Sequence, residues 1–428
     1  MRALWFAIGA GSLLVACSSD GGPEPGPSTT TTVGSTSSGG GAGGSGGQDI
    51  GGGGAGGRIN GCRAEDTMAC TYTPAAEHGL GTIVERTFTY ADAAGQTRDV
   101  NVELRRPAAP STPLPIVLWS HGGSGGRSSA GNVGTEVGEV FVRAGYLFVA
   151  MAHPGRDRAS YDALCTQQGW AGCGETCTMD SECTTRSEAV CDDGGCRYLK
   201  VLGWDRPNDV RAVIDGLEGL AAPGEPLEGL IDLTRILYAG HSSGAGGTMM
   251  VAGATRELNG PTLLLDPRPT AFMSFSPQGL GVDGFTSASY DGTGCTALAS
   301  DPSQCLTRPH LLVSGVGDDT ANEVAESRRQ AFDLGPATRQ RYLLWNLDEA
   351  ARHTTFNFKP DSCPSYAQTN GLDPTLYPAR CKLYLAGQTS AALAFADAYL
   401  RDHVPALDYL ASDNLRALYG DPGSWTIK

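Results

Sequence analysis

The pentapeptide GHSSG at residues 240–244 sets a hydroxyl between two glycines directly after the apolar run RILYA. A serine hydroxyl attacks a carbonyl only when a neighbouring base takes its proton and a carboxylate holds that base in place. A turn sharp enough to present the serine needs glycine two residues before it and two after it, where the backbones would otherwise collide. That spacing selects Ser242. Centring the turn on Ser243 would need glycine at 241 and 245, where the chain has His241 and Ala245. Ser243 is then expected to offer its backbone N–H to an oxyanion.

Around such a turn, the acid and then the base follow the serine in the chain, each at the carboxyl end of a later strand. His78, His121 and His153 precede the serine, and His241 lies inside the turn, where it is expected to point elsewhere. His310 opens a strand and so lies at its wrong end, and His403 falls in a terminal helix. His353, shortly after RYLLWNL, is the expected base. The strand LLVSG ends in GVGDDT; Asp318, the first acid beyond it, is preferred, and Asp319 is the alternative. The second N–H of the oxyanion site is expected from the loop SHGGSGG, residues 120–126, through Gly123 or Ser124, with Gly122 beside them. His121 has the simpler role of holding that loop by hydrogen bonds. A phosphate cradle is the rival reading of these glycines, but no Gly-Lys-Ser/Thr or spaced GxGxxG follows.

Apolar runs and helix-like stretches alternate along the chain around these groups. PIVLWS, GYLFVAMA, RILYAG, TAFMSFS, PHLLVSG and RYLLWNL are short, continuously apolar and closed by Gly, Pro or polar residues, as strands buried on both faces are. Between them, GNVGTEVGEVFVRAG, RPNDVRAVIDGLEGL, SGAGGTMMVAGATREL and ANEVAESRRQAFDL can carry helices, and TSAALAFADAYLRDHV a late one. TFTYADAAGQTRDVNVELRRP alternates apolar and polar residues around Gly95, as a half-exposed hairpin does. The pattern predicts an α/β fold with a mostly parallel central sheet, helices on both faces and an antiparallel hairpin at one side. No internal repeat is present.

Residues 161–198 break the rhythm. They hold six cysteines among polar residues, show no helix or strand period, and read as a disulfide-rich insertion with three bridges. A zinc site on Cys173/Cys177 and Cys191/Cys196 is the rival reading, disfavoured where thiols oxidise. If the insertion rises beside the site it would form a lid or rim, with Trp119, Trp170, Trp204 and Tyr161 lining a pocket; the alternative is a staple remote from the chemistry. Cys62 with Cys70, Cys295 with Cys305, and Cys363 with Cys381 are expected to staple loops.

The first residues, MRALWFAIGAGSLLVAC, join an early Arg2 to an apolar run too short to span a bilayer, as an export signal does. LVAC resembles the lipobox of bacterial lipoproteins. The resemblance implies removal of residues 1–16, lipidation of Cys17, and, with Ser18 following, the outer membrane of a diderm cell at its periplasmic or surface face. Of 13 cysteines, setting Cys17 aside leaves an even number for pairing, which fits export. Residues 18–60 are Gly, Ser, Thr and Pro with few apolar side chains, a tether expected to reach a few nanometres at roughly 5–6 Å times the square root of its length. The folded domain is then 61–428. A net charge of −15 and the absence of basic, aromatic-studded stretches argue against nucleic acid as a partner.

PIVLWSHGGSGG, AMAHPG, RPNDVRAVIDGL, DLTRILYAGHSSGAGG, SFSPQG, GVGDD and RHTTF, in that order, resemble the α/β-hydrolase branch of predicted dienelactone hydrolases and platelet-activating factor acetylhydrolase-like esterases. The resemblance covers residues 87–404 apart from the insertion. It implies the α/β-hydrolase fold and carries over Ser242, Asp318 and His353 as nucleophile, acid and base. It further implies a small-molecule or lipid-like ester as substrate and neither metal nor organic cofactor. Serine in place of cysteine at the turn departs from true dienelactone hydrolases, and the insertion lies outside the family pattern. A serine esterase working as a monomer is the resulting expectation. The alternatives are a non-catalytic surface binding protein on the same scaffold and a peptidase of the same fold.

Overall fold

The computed structural model describes residues 62, 67–74, 77–110, 113–123, 126–131, 133–185, 189–320, 323–358, 375 and 377–428. The expected signal, Cys17 and the tether lie outside them, as do Ser124 and Cys363.

The strands are β1 (Val84–Ala91), β2 (Thr97–Arg105), β3 (Leu114–Ser120), β4 (Leu147–Ala152), β5 (Ala189–Asp192), β6 (Gly195–Tyr198), β7 (Ile231–His241), β8 (Arg256–Glu257), β9 (Pro261–Thr262), β10 (Ala271–Phe275), β11 (His310–Gly315), β12 (Arg341–Asn346) and β13 (Trp425–Ile427). The helices are α1 (Thr135–Arg143), α2 (Arg158–Gln167), α3 (Leu202–Leu220), α4 (Ser243–Ala252), the short α5 (Ser287–Tyr290) and α6 (Thr293–Leu298), α7 (Ala325–Asp333), α8 (Tyr377–Leu400), α9 (Val404–Ala411) and α10 (Asn414–Tyr419).

Nine strands form one sheet in the order β1-β2-β4-β3-β7-β10-β11-β12-β13. Pairing is parallel from β4 through β12 and antiparallel at β1/β2, β2/β4 and β12/β13. The protein is therefore an α/β fold with a mostly parallel sheet. Successive side chains of a strand face opposite ways, and in β3 both directions are buried. Val117 and Trp119 join a core with Phe141 of α1 and Phe395 of α8. Ile116 and Leu118 join another with Val210, Ile214 and Leu217 of α3 and Met249 of α4. Two buried faces explain why these strands read as unbroken apolar runs. All described residues belong to one compact unit, Gly54–Lys428, and among them no helix is long and apolar enough to cross a membrane.

Several boundaries differ from the sequence reading. α4 stops at Ala252 because Gly253 takes φ +116°, and Arg256–Glu257 pairs as a strand. α8 begins at Tyr377, well before the TSAALAF pattern, and ends at Leu400; His403 sits at the N-cap of α9 rather than within a helix. β13 was not expected: WTI is too short to show a period and gains its place by pairing with β12.

The insertion is not devoid of regular structure. α2 enters it, capped by the Asp157 side chain accepting from the Ser160 N–H at 2.8 Å. β5 and β6 form a hairpin whose turn residues, Asp193 and Gly194, take φ +52° and +67°. That Asp-Gly pair is a hairpin signal. Cys165–Cys173, Cys177–Cys191 and Cys183–Cys196 are bridged, as are Cys62–Cys70 and Cys295–Cys305. The sulfurs of Cys177, Cys183 and Cys196 lie within 4.8 Å of one another, but all three are in disulfides and so are not thiolate ligands. Cys381 is also disulfide-bonded.

Candidate active site

β7 lies between β3 and β10 in the sheet and delivers its last residues into the turn before α4. Ser242 takes φ +54° and ψ −120°, a conformation that costs a side-chain-bearing residue on the order of 1–3 kcal/mol. Its N–H donates to the Phe275 carbonyl at 2.9 Å, and its own carbonyl accepts from Gly246 at 3.1 Å, the first bond of α4. The flanking glycines are required by contact. A Cβ on Gly240 would lie 2.5 Å from the Gly244 carbonyl, and one on Gly244 would lie 2.3 Å from the Ser120 oxygen.

β11 and β12 are adjacent and parallel, so the loops that leave them meet. Gly317 lets the first loop pack on the second: a Cβ there would fall 2.3 Å from the Glu349 carbonyl oxygen. Asp318 is fully buried, and its Oδ1 accepts from His353 Nδ1 at 2.7 Å while its Oδ2 accepts from the Ser314 hydroxyl at 2.6 Å. Arg328 braces the loop. Its Nε donates to the Asp318 carbonyl at 2.8 Å, and its Nη1 pairs with buried Glu323 at 2.8 Å. Asp319 does not share this arrangement; its carboxylate accepts from the Ala325 N–H at 2.8 Å.

A cavity of about 270 Å³ joins these pieces. Its lining includes Ser242, His353, Gly123 and Trp119. Ser242 and His353 face it without a hydrogen bond between them, as is common in ligand-free sites. Nδ1 of His353 donates to a carboxylate and so carries the proton, leaving Nε2 as the acceptor. Gly122 lies against the serine: a Cβ on it would stand 3.2 Å from Ser242 Cβ. Ser243 opens α4, so its N–H is one of those a helix leaves without an intrahelical partner.

His241 does not point elsewhere. It lines the cavity, its ring centroid lies 4.7 Å from that of His353, and its Nε2 donates to the His353 carbonyl at 2.9 Å. Burial, and next the neighbouring His353, pushes its pKa down to about 3, so it is neutral at ordinary pH. Reading the turn alone misses this role, because it depends on the loop after β12. His121 holds the 120–123 loop as expected, donating from Nδ1 to the Gly122 carbonyl at 2.8 Å, and burial pushes its pKa down to about 2.

A second chain of the same residue types stands nearby. Ser120 Oγ is 2.7 Å from His153 Nε2, and His153 Nδ1 is 3.0 Å from Asp209 Oδ2. All three are buried and none lines the cavity, so this chain ties the ends of β3 and β4 to α3. His310 is likewise interior, bonded to Ser274 at 2.9 Å at the start of β11. Of the aromatic residues considered for the pocket, Trp119 lines the cavity and Tyr161, Trp170 and Trp204 do not. Those three cluster instead with Leu164, Tyr198 and Leu258, and no described residue of the insertion reaches the cavity.

No protein-family model matches the chain, and no curated protein matches it.

Proposed function

We propose that this protein is a serine esterase of the α/β-hydrolase fold, with Ser242 as nucleophile, His353 as base and Asp318 as the acid behind it. The observation that carries the reading is the 2.7 Å contact between His353 Nδ1 and Asp318, with the imidazole and Ser242 on one cavity. A buried carboxylate fixes the tautomer that leaves Nε2 free to accept and stabilises the imidazolium that follows. His353 Nε2 takes the Ser242 proton as Oγ adds to an ester carbonyl, and the oxyanion is held by N–H groups of Ser243 and of Gly122 and Gly123. The imidazolium then protonates the departing alcohol. Water, deprotonated by the same imidazole, attacks the acyl-enzyme and releases the acid and the free serine. A cavity of about 270 Å³, walled on its apolar side by Trp119 and Val133, suits a short acyl group.

Export as a lipid-anchored protein of the outer membrane belongs to the same proposal, supported by the lipobox-like LVAC and by the disulfides of the folded part. The test is reaction with a fluorophosphonate probe together with rates on aryl esters of increasing acyl length. Labelling that Ser242→Ala abolishes, and kcat/KM that peaks at two to four acyl carbons (order of magnitude set by the cavity), is expected. A wild-type protein that neither labels nor hydrolyses would leave a binding protein on this scaffold.

A further inference from the structure

Arg206, in α3, is 1% exposed, and among the described residues no carboxylate forms an ion pair with it. A buried guanidinium normally meets its desolvation cost with a carboxylate. Here the partners are backbone. Nη1 donates to the His121 carbonyl and Nη2 to the Gly123 carbonyl, the latter at 2.6 Å. The carbonyl between them, of Gly122, accepts from His121 Nδ1 at 2.8 Å. Three successive carbonyls of the loop after β3 are thus each held by a side chain rather than by another strand or helix.

Because a peptide unit is planar and trans, fixing a carbonyl also fixes the N–H of the next residue on the opposite side. The orientations of the Gly122 and Gly123 N–H groups are therefore set by Arg206 and His121, and both glycines line the cavity beside Ser242. Arg206 is itself fixed: a Cβ on Gly247 of α4 would lie 3.3 Å from its Cβ and 2.9 Å from the Tyr238 hydroxyl. Burial pushes its pKa down to about 10, which keeps it charged at neutral pH.

We infer that Arg206 is the positioning residue of the oxyanion-binding loop: its fork draws the carbonyls of residues 121 and 123 to one side and so presets the loop N–H groups for the anion formed when Ser242 attacks. This rests on the esterase reading. Lysine cannot replace it in full, because one ammonium lacks the planar two-pronged geometry.

The test uses full-length wild type, Arg206→Lys and Arg206→Met. Active sites are counted by fluorophosphonate labelling carried to completion. Then kcat and KM on an aryl acetate, and the affinity for a trifluoromethyl ketone, are measured per active site. The ketone binds as a tetrahedral oxyanion adduct, so it reports on the loop in a way that a merely structural role would not move. In Arg206→Met, kcat and ketone affinity should each fall about tenfold or more, with KM within about threefold of wild type and Arg206→Lys intermediate. Variants that keep wild-type kcat and ketone affinity per site, even with a lowered Tm, would overturn the inference and leave Arg206 a staple. Should Arg206→Met not fold, Arg206→Lys decides by the same two ratios. An inactive, unlabelled wild type defeats the esterase reading and this inference together, whereas an active wild type with unaffected variants defeats the inference alone.

Discussion

His353 Nδ1 lies 2.7 Å from Oδ1 of Asp318, whereas Asp319, one residue on, spends its carboxylate on the Ala325 amide at 2.8 Å. Two adjacent acids thus have separate work, and substitution should separate them. Asp318→Asn should lower kcat by about three to four orders of magnitude, because an amide neither holds the productive tautomer nor stabilises the imidazolium. Asp319→Ala should leave kcat within about twofold and cost about 1 kcal/mol of stability, the scale of a lost helix-end bond. Steady-state kinetics and denaturant unfolding on both variants make the comparison; equal losses of kcat would refute the assignment.

The turn should not tolerate a methyl group on either side of the serine. In Gly244→Ala the added carbon meets the Ser120 carbonyl oxygen at 2.3 Å, a backbone atom in a central strand that cannot swing aside. We expect a loss of about 3 kcal/mol or more in denaturant unfolding, within the range of severe overpacking, and no fluorophosphonate labelling in whatever folds. Gly240→Ala should behave alike, its clash being with the Gly244 carbonyl at 2.5 Å.

Stability should fall with acidification before most carboxylates titrate. His121, His153, His241 and His310 are buried, and burial is the main cause that holds each pKa below the ordinary value, to about 2 for His121 and about 3 for His241. The unfolded chain protonates its histidines near about 6.5. Between that pH and the depressed values the unfolded state binds protons that the folded state refuses. The contribution is therefore complete above about pH 6.5 and is lost as pH falls toward each depressed value, by at most about 1.4 kcal/mol per pH unit for each such group. Urea unfolding at pH 7, 6 and 5 should show this slope, and His310→Asn should reduce it by one proton. A flat profile across that range would mean that these rings accept protons inside the fold.

The cysteine-rich insertion should bear on stability rather than on selectivity. Tyr161, Trp170 and Tyr198 pack with Leu258 and beside Trp204, away from the cavity. Deleting residues 163–197 should lower Tm by several degrees, on the scale of about 1–2 kcal/mol for a domain of this size. The ratio of rates on acetyl and longer aryl esters, per labelled serine, should be unchanged. A shifted ratio would restore the lid.

What was legible in the sequence was whatever leaves a local trace. Strands such as LPIVLWS are apolar on both faces because helices cover both faces, so each announces itself without its neighbours. The GHSSG turn carries its own steric signature in Gly240 and Gly244. The order of the parallel strands is the reason an acid after β11 and a histidine after β12 end up in contact. The rest depends on partners distant in the chain. Arg206 sits in a helical stretch whose pattern gives no hint that its guanidinium reaches the loop after β3. His241 shows its role only once the loop carrying His353 is in place. β13 exists because β12 offers it an edge. The hairpin of the insertion is the exception: Asp193-Gly194 marked it, and the density of cysteines around it obscured the signal.

Ser242 occupies a backbone conformation, φ +54°, that glycine reaches freely and serine does not. Ser242→Gly should consequently melt higher than wild type while doing no chemistry. Directed evolution that rewards heat resistance alone would thus be drawn toward sterile molecules. A screen for robust variants has to demand turnover in the same round, since durability and usefulness pull this one position in opposite directions.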